Sequence, residues 1–324
     1  MVDPLFGGAL IFASLLSLIS IGLSLTYMTT NVPNFAHGSF AALGAYITLT
    51  AVELWGGSPY QFLPLALVLG GLAALVQYFL VFRPLIRKGV TVVGLMIATL
   101  AIEFILLSFL NIYADYLSRQ FKVRSRYFLL AIYDFQIAGT TGLLFVAPIL
   151  VGVTATVLYL FLTKTKFGVA MRASIEDPAL ASVVGINVNL VYAVSWFISG
   201  SLGSLAGALL PLWFPGNTDM GSKIIVSVFA ASIVGGLKSI YGALVGGFLI
   251  GFAELLGTNW LAGQLGPWII PYRPLIPLIT IAITLLLAPQ GLLGVSWRDV
   301  ATKVWKMVHK IVKRPSIARA PKNG

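Results

Sequence analysis

Asn31, Asn34 and His37 stand within seven residues of one another in the string Asn31-Val32-Pro33-Asn34-Phe35-Ala36-His37-Gly38. Two amides and an imidazole can donate and accept hydrogen bonds in one small volume. They either contact a polar solute, or His37 is an ordinary buried histidine satisfied by neighbouring backbone. Neither arrangement is catalytic. The chain has two histidines, His37 and His309, and no cysteine. Thiol catalysis, zinc–thiolate sites and disulfides are therefore excluded. No nucleophile stands at a spacing that would give it a base. No Gly-Lys dipeptide occurs anywhere, so the phosphate-binding loop G-x-x-x-x-G-K-[ST] is absent. These residues suit recognition and passage, not reaction, and the chain is expected not to be an enzyme.

A second polar group of interest is Glu103, in the apolar run Ala101-Ile102-Glu103-Phe104-Ile105. A bare carboxylate is costly there, so it is expected to be protonated, paired or turned to a cavity. Glu254 is a similar case. A third feature is the stretch from 223 to 256, interrupted at Gly235-Gly236 and Tyr241-Gly242. Interrupted helices at membrane depth are tolerated only where protein or a water-filled cavity surrounds them. Paired interruptions in two halves of a chain point to a transport site. The predicted solute path is therefore Asn31, Asn34, His37 and Gly38 together with Gly235, Gly236, Tyr241 and Gly242. Close helix packing accounts for the glycines equally well.

The elements that must position these groups are membrane spans. The 324 residues are 58% hydrophobic and 10% charged, where a soluble domain carries about a quarter charged residues. Mean hydropathy is +0.95. Nine hydrophobic segments are predicted, with eight to ten the range: about 5–29, 37–55, 61–82, 90–112, 143–163, 190–212, 223–235, 240–256 and 274–290. Runs near twenty residues suffice to cross a bilayer. The fold class is all-α and polytopic, with broken or re-entrant helices, and residues 1–297 form one transmembrane domain. The first apolar run reads as a retained span, since the first ten residues carry no Lys or Arg.

The net charge of +11 does not signal nucleic acid. Eight of the 21 Lys and Arg lie between Arg298 and Lys322, and the rest are scattered in loops. Residues 298–324 read as a cytoplasmic tail whose basic amphipathic helix suits an anionic lipid leaflet. With the 164–189 loop placed inside, fifteen Lys and Arg fall on the inner side and six on the outer. This bias predicts an outer N-terminus and an inner C-terminus. The cluster Arg119, Lys122, Arg124 and Arg126 opposes it locally. Its loop, 113–142, is either a partly folded outer segment or a landing surface for an outer partner.

The inner loop carries its own helix punctuation. Asp177 can cap a helix, Pro178 suits its first position, and Gly185 suits the left-handed residue that ends it. That predicts a two-turn helix from Pro178 to Val184, with Leu180, Val183 and Val184 on one face. Such a helix either lies on the membrane or plugs into a groove on another protein.

Here the residues resemble a known family. Phe167-Gly168, Met171-Arg172-Ala173, Glu176-Asp177, Ala181 and Gly185-Ile186-Asn187 are similar to the cytoplasmic loop of ABC-importer permeases of the branched-chain amino acid type. The string from Asn34 to Gly44-Ala45-Tyr46, Arg83-Pro84-Leu85, the 235–254 stretch and Leu287 to Gly294 resemble the same family in the same order. The resemblance spans about residues 10–294. It implies a permease subunit that translocates a small polar solute, with the loop as a coupling helix. Gly168, Arg172, Ala173, Glu176, Asp177, Leu180, Ala181, Val183, Gly185 and Ile186 would then meet the ATPase subunit. It implies as partners two ATP-binding subunits, a second permease (a copy or a paralogue) and an extracytoplasmic solute-binding protein. ATP would be bound by those partners, and the chain would need no cofactor. Relatives of this kind also move urea and short amides. The reading from another class is a self-sufficient carrier or channel using Glu103 and Glu254.

Overall fold

The computed structural model describes residues 3–137, 139–288 and 290–292. The basic tail predicted over 298–324 lies outside them. The described chain is twelve α-helices joined by short 3-10 turns and one small hairpin, Gln136–Ile137 against Thr140–Thr141. The nine expected hydrophobic segments each correspond to helix. Six helical stretches are long and apolar enough to cross a membrane, and the others are shorter or less apolar.

Helix α1 (Pro4–Thr30) starts at an Asp3 cap, whose carboxylate accepts from Leu5 N at 3.0 Å, and ends at Asn31 in the left-handed conformation. Asn tolerates that backbone better than other residues with a Cβ. α1 is almost wholly enclosed. Around it pack α6 (Leu143–Lys164), α9 (Val188–Leu209), α10 (Met220–Gly235) and α11 (Ile240–Leu265), and α2 (His37–Trp55) packs mainly on α9 and α10. Outside these lie α3 (Leu63–Gln77), α5 (Val92–Phe121) and α12 (Leu275–Leu287). α3 continues through one π turn, Tyr78–Phe82, into the short α4 (Arg83–Arg87). Pro84 lacks the N–H that a regular ladder needs there, and a wider turn accommodates the loss.

Small residues set how closely the inner helices approach. A Cβ on Gly44 would strike the Ser204 carbonyl, and one on Gly207 would strike the Ala41 carbonyl, so α2 and α9 touch backbone to backbone. Gly235 and Gly242 do the same for α10 and α11, as do Gly247 and Gly251 of α11 with Ser17 and Ala13 of α1. We expect Gly207→Val to cost about 3 kcal/mol through overpacking. Gly152→Val, on an open face of α6 where an added Cβ meets nothing within 4 Å, should cost little. Melting of the two purified variants in one detergent checks this, and equal melting temperatures would contradict the packing argument.

Two helices begin inside the bundle. His37, the first residue of α2, bonds through Nε2 to the Ile19 carbonyl at 2.9 Å. Ile19 is 11 residues from the nearer end of α1, or about 16 Å of helix. Thus 31–36 is a re-entrant stretch that leads the chain back before α2 starts. The start of α10 meets the start of α2: Gly38 and Gly221 lie so close that a Cβ on either would collide with the other's backbone.

Candidate transport and docking sites

The 164–189 loop folds as two helices, not one. α7 (Lys166–Glu176) is capped by Thr165, which accepts from Gly168 N at 2.9 Å. Gly168 packs against the Phe161 carbonyl of α6, and Met171 and Ser174 are buried beneath the helix. Arg172 and Glu176 face outward, with Ala173 half-buried. α8 (Pro178–Val183) follows. Asp177 Oδ1 accepts from Ala179 N at 2.9 Å and from Leu180 N at 3.0 Å. Gly185, at φ +88°, closes the helix, and Ile186 N returns to the Ala181 carbonyl at 3.0 Å. Ala181 is buried, while Leu180, Val183 and Val184 are 61%, 81% and 69% exposed. Three neighbouring apolar side chains thus face away from the protein at one end of the bundle. Ile186 packs back on the core and pins the segment. Composition hid α7 because its apolar face is only a few residues wide.

In the re-entrant stretch, Asn31 serves as the α1 cap, and its N–H bonds to the Tyr27 carbonyl at 2.7 Å. Asn34 is fully buried. Its Oδ1 accepts from Ala36 N at 3.1 Å and from Gln77 Nε2 at 3.2 Å, which leaves Asn34 Nδ2 and Gln77 Oε1 without partners. Phe35 N donates to Thr99 Oγ1 of α5 at 3.2 Å. His37 is also fully buried. The Ile19 carbonyl can only accept, so Nε2 carries the proton. Nδ1 then accepts from Ser199 Oγ of α9 at 3.4 Å. In this conformation His37 holds three helices together by backbone and hydroxyl contacts.

Gly235, Gly236 and Gly242 form the tight α10–α11 turn, with Gly236 at φ +105°. Tyr241 is half exposed and lies against Tyr159 of α6, ring centres 6.1 Å apart. The contacts of α10 with the re-entrant stretch come instead from Gly221, against Gly38, and from Phe229, against Phe35 at 5.0 Å.

The two carboxylates expected to need relief both find partners that the sequence reading did not name, Ser39 and Ser222 for Glu103 and Arg273 for Glu254. Glu103 of α5 accepts from Ser39 Oγ at Oε2 and from Ser222 Oγ at Oε1, each at 2.6 Å. Its carboxylate bridges the starts of α2 and α10, where two helix dipoles present their positive ends. The available signal was a repeat: each helix opens with Gly-Ser, Gly38-Ser39 and Gly221-Ser222. Glu254 of α11 is paired with Arg273 at 2.6 Å, and the guanidinium lies over Phe12 at 4.3 Å.

The sequence is similar to known transport proteins along most of its length. Residues 5–287 match the family described as the permease component of the branched-chain amino acid transport system. The chain belongs to that family. A probable branched-chain amino acid transport permease protein LivH from Methanocaldococcus jannaschii is 46% identical over 293 residues, covering 90% of this chain and 93% of its own. The high-affinity branched-chain amino acid transport system permease protein BraD of Pseudomonas aeruginosa is 28% identical, covering 86% and 91%. The corresponding LivH of Salmonella typhimurium is 26% identical, covering 90% and 95%. No solved structure matches the chain. The permease is therefore a multi-pass transport protein, as the resemblance of its loop and glycine motifs implied.

Proposed function

We propose that this permease is the membrane subunit of an ATP-driven importer, and that its solute is a branched-chain or related amino acid. The observation that carries the coupling half is α8, a capped helix whose apolar face is left open. A two-turn helix is unstable alone in water, so caps that hold it rigid suit a part that transmits force. The partners are two ATP-binding subunits, which bind and hydrolyse the ATP, a second permease and an outer solute-binding protein. The amino-acid half rests on the names of the relatives. α7 and α8 face the cytoplasm in this reading, and the N-terminus lies outside.

The solute path runs where α2 and α10 begin, past Asn34, His37 and Gly38. The test is uptake by vesicles holding the permease and its ATP-binding partners, with binding protein supplied. Labelled leucine should accumulate only when ATP is present on the α7–α8 side. Accumulation by the permease alone, driven by an ion gradient, would replace this reading with the carrier that uses Glu103 and Glu254.

A further inference from the structure

Between the first turns of α10, α1, α11 and the segment that precedes α12 lies a cavity of about 280 Å³, near the lower end of the range for small-molecule sites. Its apolar wall includes Phe12, Phe214 and Met220, and its polar lining includes Glu254, Asn217 and Lys223. Glu254 is 96% buried by its 4% relative exposure. Arg273 satisfies only Oε1, and Oε2, with the Ser227 hydroxyl as its neighbouring donor, makes no hydrogen bond of ordinary geometry. Asn217 Oδ1 is buried without a donor. Two acceptors left short of donors on one small cavity are costly unless something with N–H or O–H groups supplies them. Lys223 is exposed, and among the described residues no carboxylate pairs with it. Arg273 is already committed, to Glu254 and to the rings of Phe12 and Phe214.

We propose that this cavity binds a primary ammonium group that carries an anionic group and an apolar or flexible body. The ammonium has three donors for Glu254 Oε2 and Asn217 Oδ1. Lys223 meets the anionic group, and the aromatic wall takes the body. A free α-amino acid has this chemistry, and so does the headgroup of phosphatidylethanolamine. The inference deepens the amino-acid reading above, by placing an ammonium site on the permease itself, along the first turns of α10 beside the α2–α10 junction.

The test is direct binding to the full permease in phosphatidylcholine nanodiscs, whose headgroups have no primary ammonium. Probes are leucine, isopentylamine, which lacks the carboxylate, and 4-methylpentanoate, which lacks the ammonium. Leucine and isopentylamine should bind saturably, and 4-methylpentanoate should not. Asn217→Leu should weaken both binders by about tenfold or more. Lys223→Ala should weaken leucine and leave isopentylamine unchanged, a split that a folding defect would not produce. Competition of leucine binding by phosphatidylethanolamine in the disc would identify the lipid as the occupant of the same ammonium site. Equal binding of 4-methylpentanoate and leucine, no saturable amine binding, or no effect of Asn217→Leu would each overturn the proposal. ATP-driven uptake that persists in Asn217→Leu would leave the importer reading standing while the binding data decide this one.

Discussion

Leu180→Asp should leave the permease inserted and folded but unable to hold its ATP-binding partner. The side chain is 61% exposed, so the isolated fold loses little when it changes. In the proposed complex, the same side chain would be buried in the partner's groove. Losing that apolar burial costs roughly 2–3 kcal/mol, which is roughly a 30- to 140-fold loss of affinity. The buried, unpaired carboxylate adds to the cost. Solute-stimulated ATP hydrolysis should vanish with assembly. Asp177→Ala should act in the same direction and more weakly, since removing a cap costs about 1 kcal/mol. The decisive measurement is pull-down of the ATP-binding subunit at equal membrane levels of wild type and variant. Equal recovery with normal uptake would mean that α8 only connects α7 to α9.

Glu103→Leu should damage the permease much more than Glu103→Gln. Leucine removes the acceptor of two serine hydroxyls held at 2.6 Å. Leaving both without partners costs roughly 2–4 kcal/mol. The loss also frees α5 from the α2–α10 junction, where few other contacts hold it, because most of its surface faces outward. Glutamine keeps an acceptor oxygen and offers a donor that a serine oxygen can accept, so most of the bridge survives. The readouts are melting in detergent and uptake in vesicles. A leucine variant that melts higher and still transports would show that the bridge is dispensable.

The apolar helices were legible because a bilayer-spanning helix must satisfy its own backbone and present apolar side chains. Their ends were less so. α5 was expected to stop near 112 but runs to Phe121, through Asn111, Asp115 and Ser118. Those polar groups are answered from outside the helix: Thr218, 107 residues away, donates to Asn111, and the segment just after α5 supplies Arg126 for Asp115 and Ser125 for Ser118. Hydropathy cannot see partners that arrive from elsewhere. The 113–142 loop is shorter for the same reason, and it is tied down by Tyr46 on Ser125 and Tyr60 on Asp134. At the candidate site, Asn34 and His37 were found by type. Ser39 and Ser222 were not, because a serine becomes an anchor only when a carboxylate 64 or 119 residues away reaches it. The α8 caps were fully local, and the punctuation around Pro178 placed that helix to within one residue.

The enclosed position of α1 has a consequence for biosynthesis. The innermost helix leaves the ribosome before the helices described around it, and α11, its most extensive neighbour, follows more than 200 residues later. Ser17 bonds to the carbonyl of Leu244, 227 residues later. At about 5–20 residues per second, α1 waits roughly 11 to 45 s for that partner. Its sequence suits the wait. Ser14, Ser17, Thr26, Thr29 and Thr30 each bond back to a carbonyl three or four residues earlier in the same helix. Those hydroxyls can be satisfied inside α1 while it is still surrounded by lipid, and Ser17 adds its second bond when α11 arrives. Chains halted before Ile240 should therefore insert α1 but leave it bare of α11, in a form that membrane quality-control proteases remove.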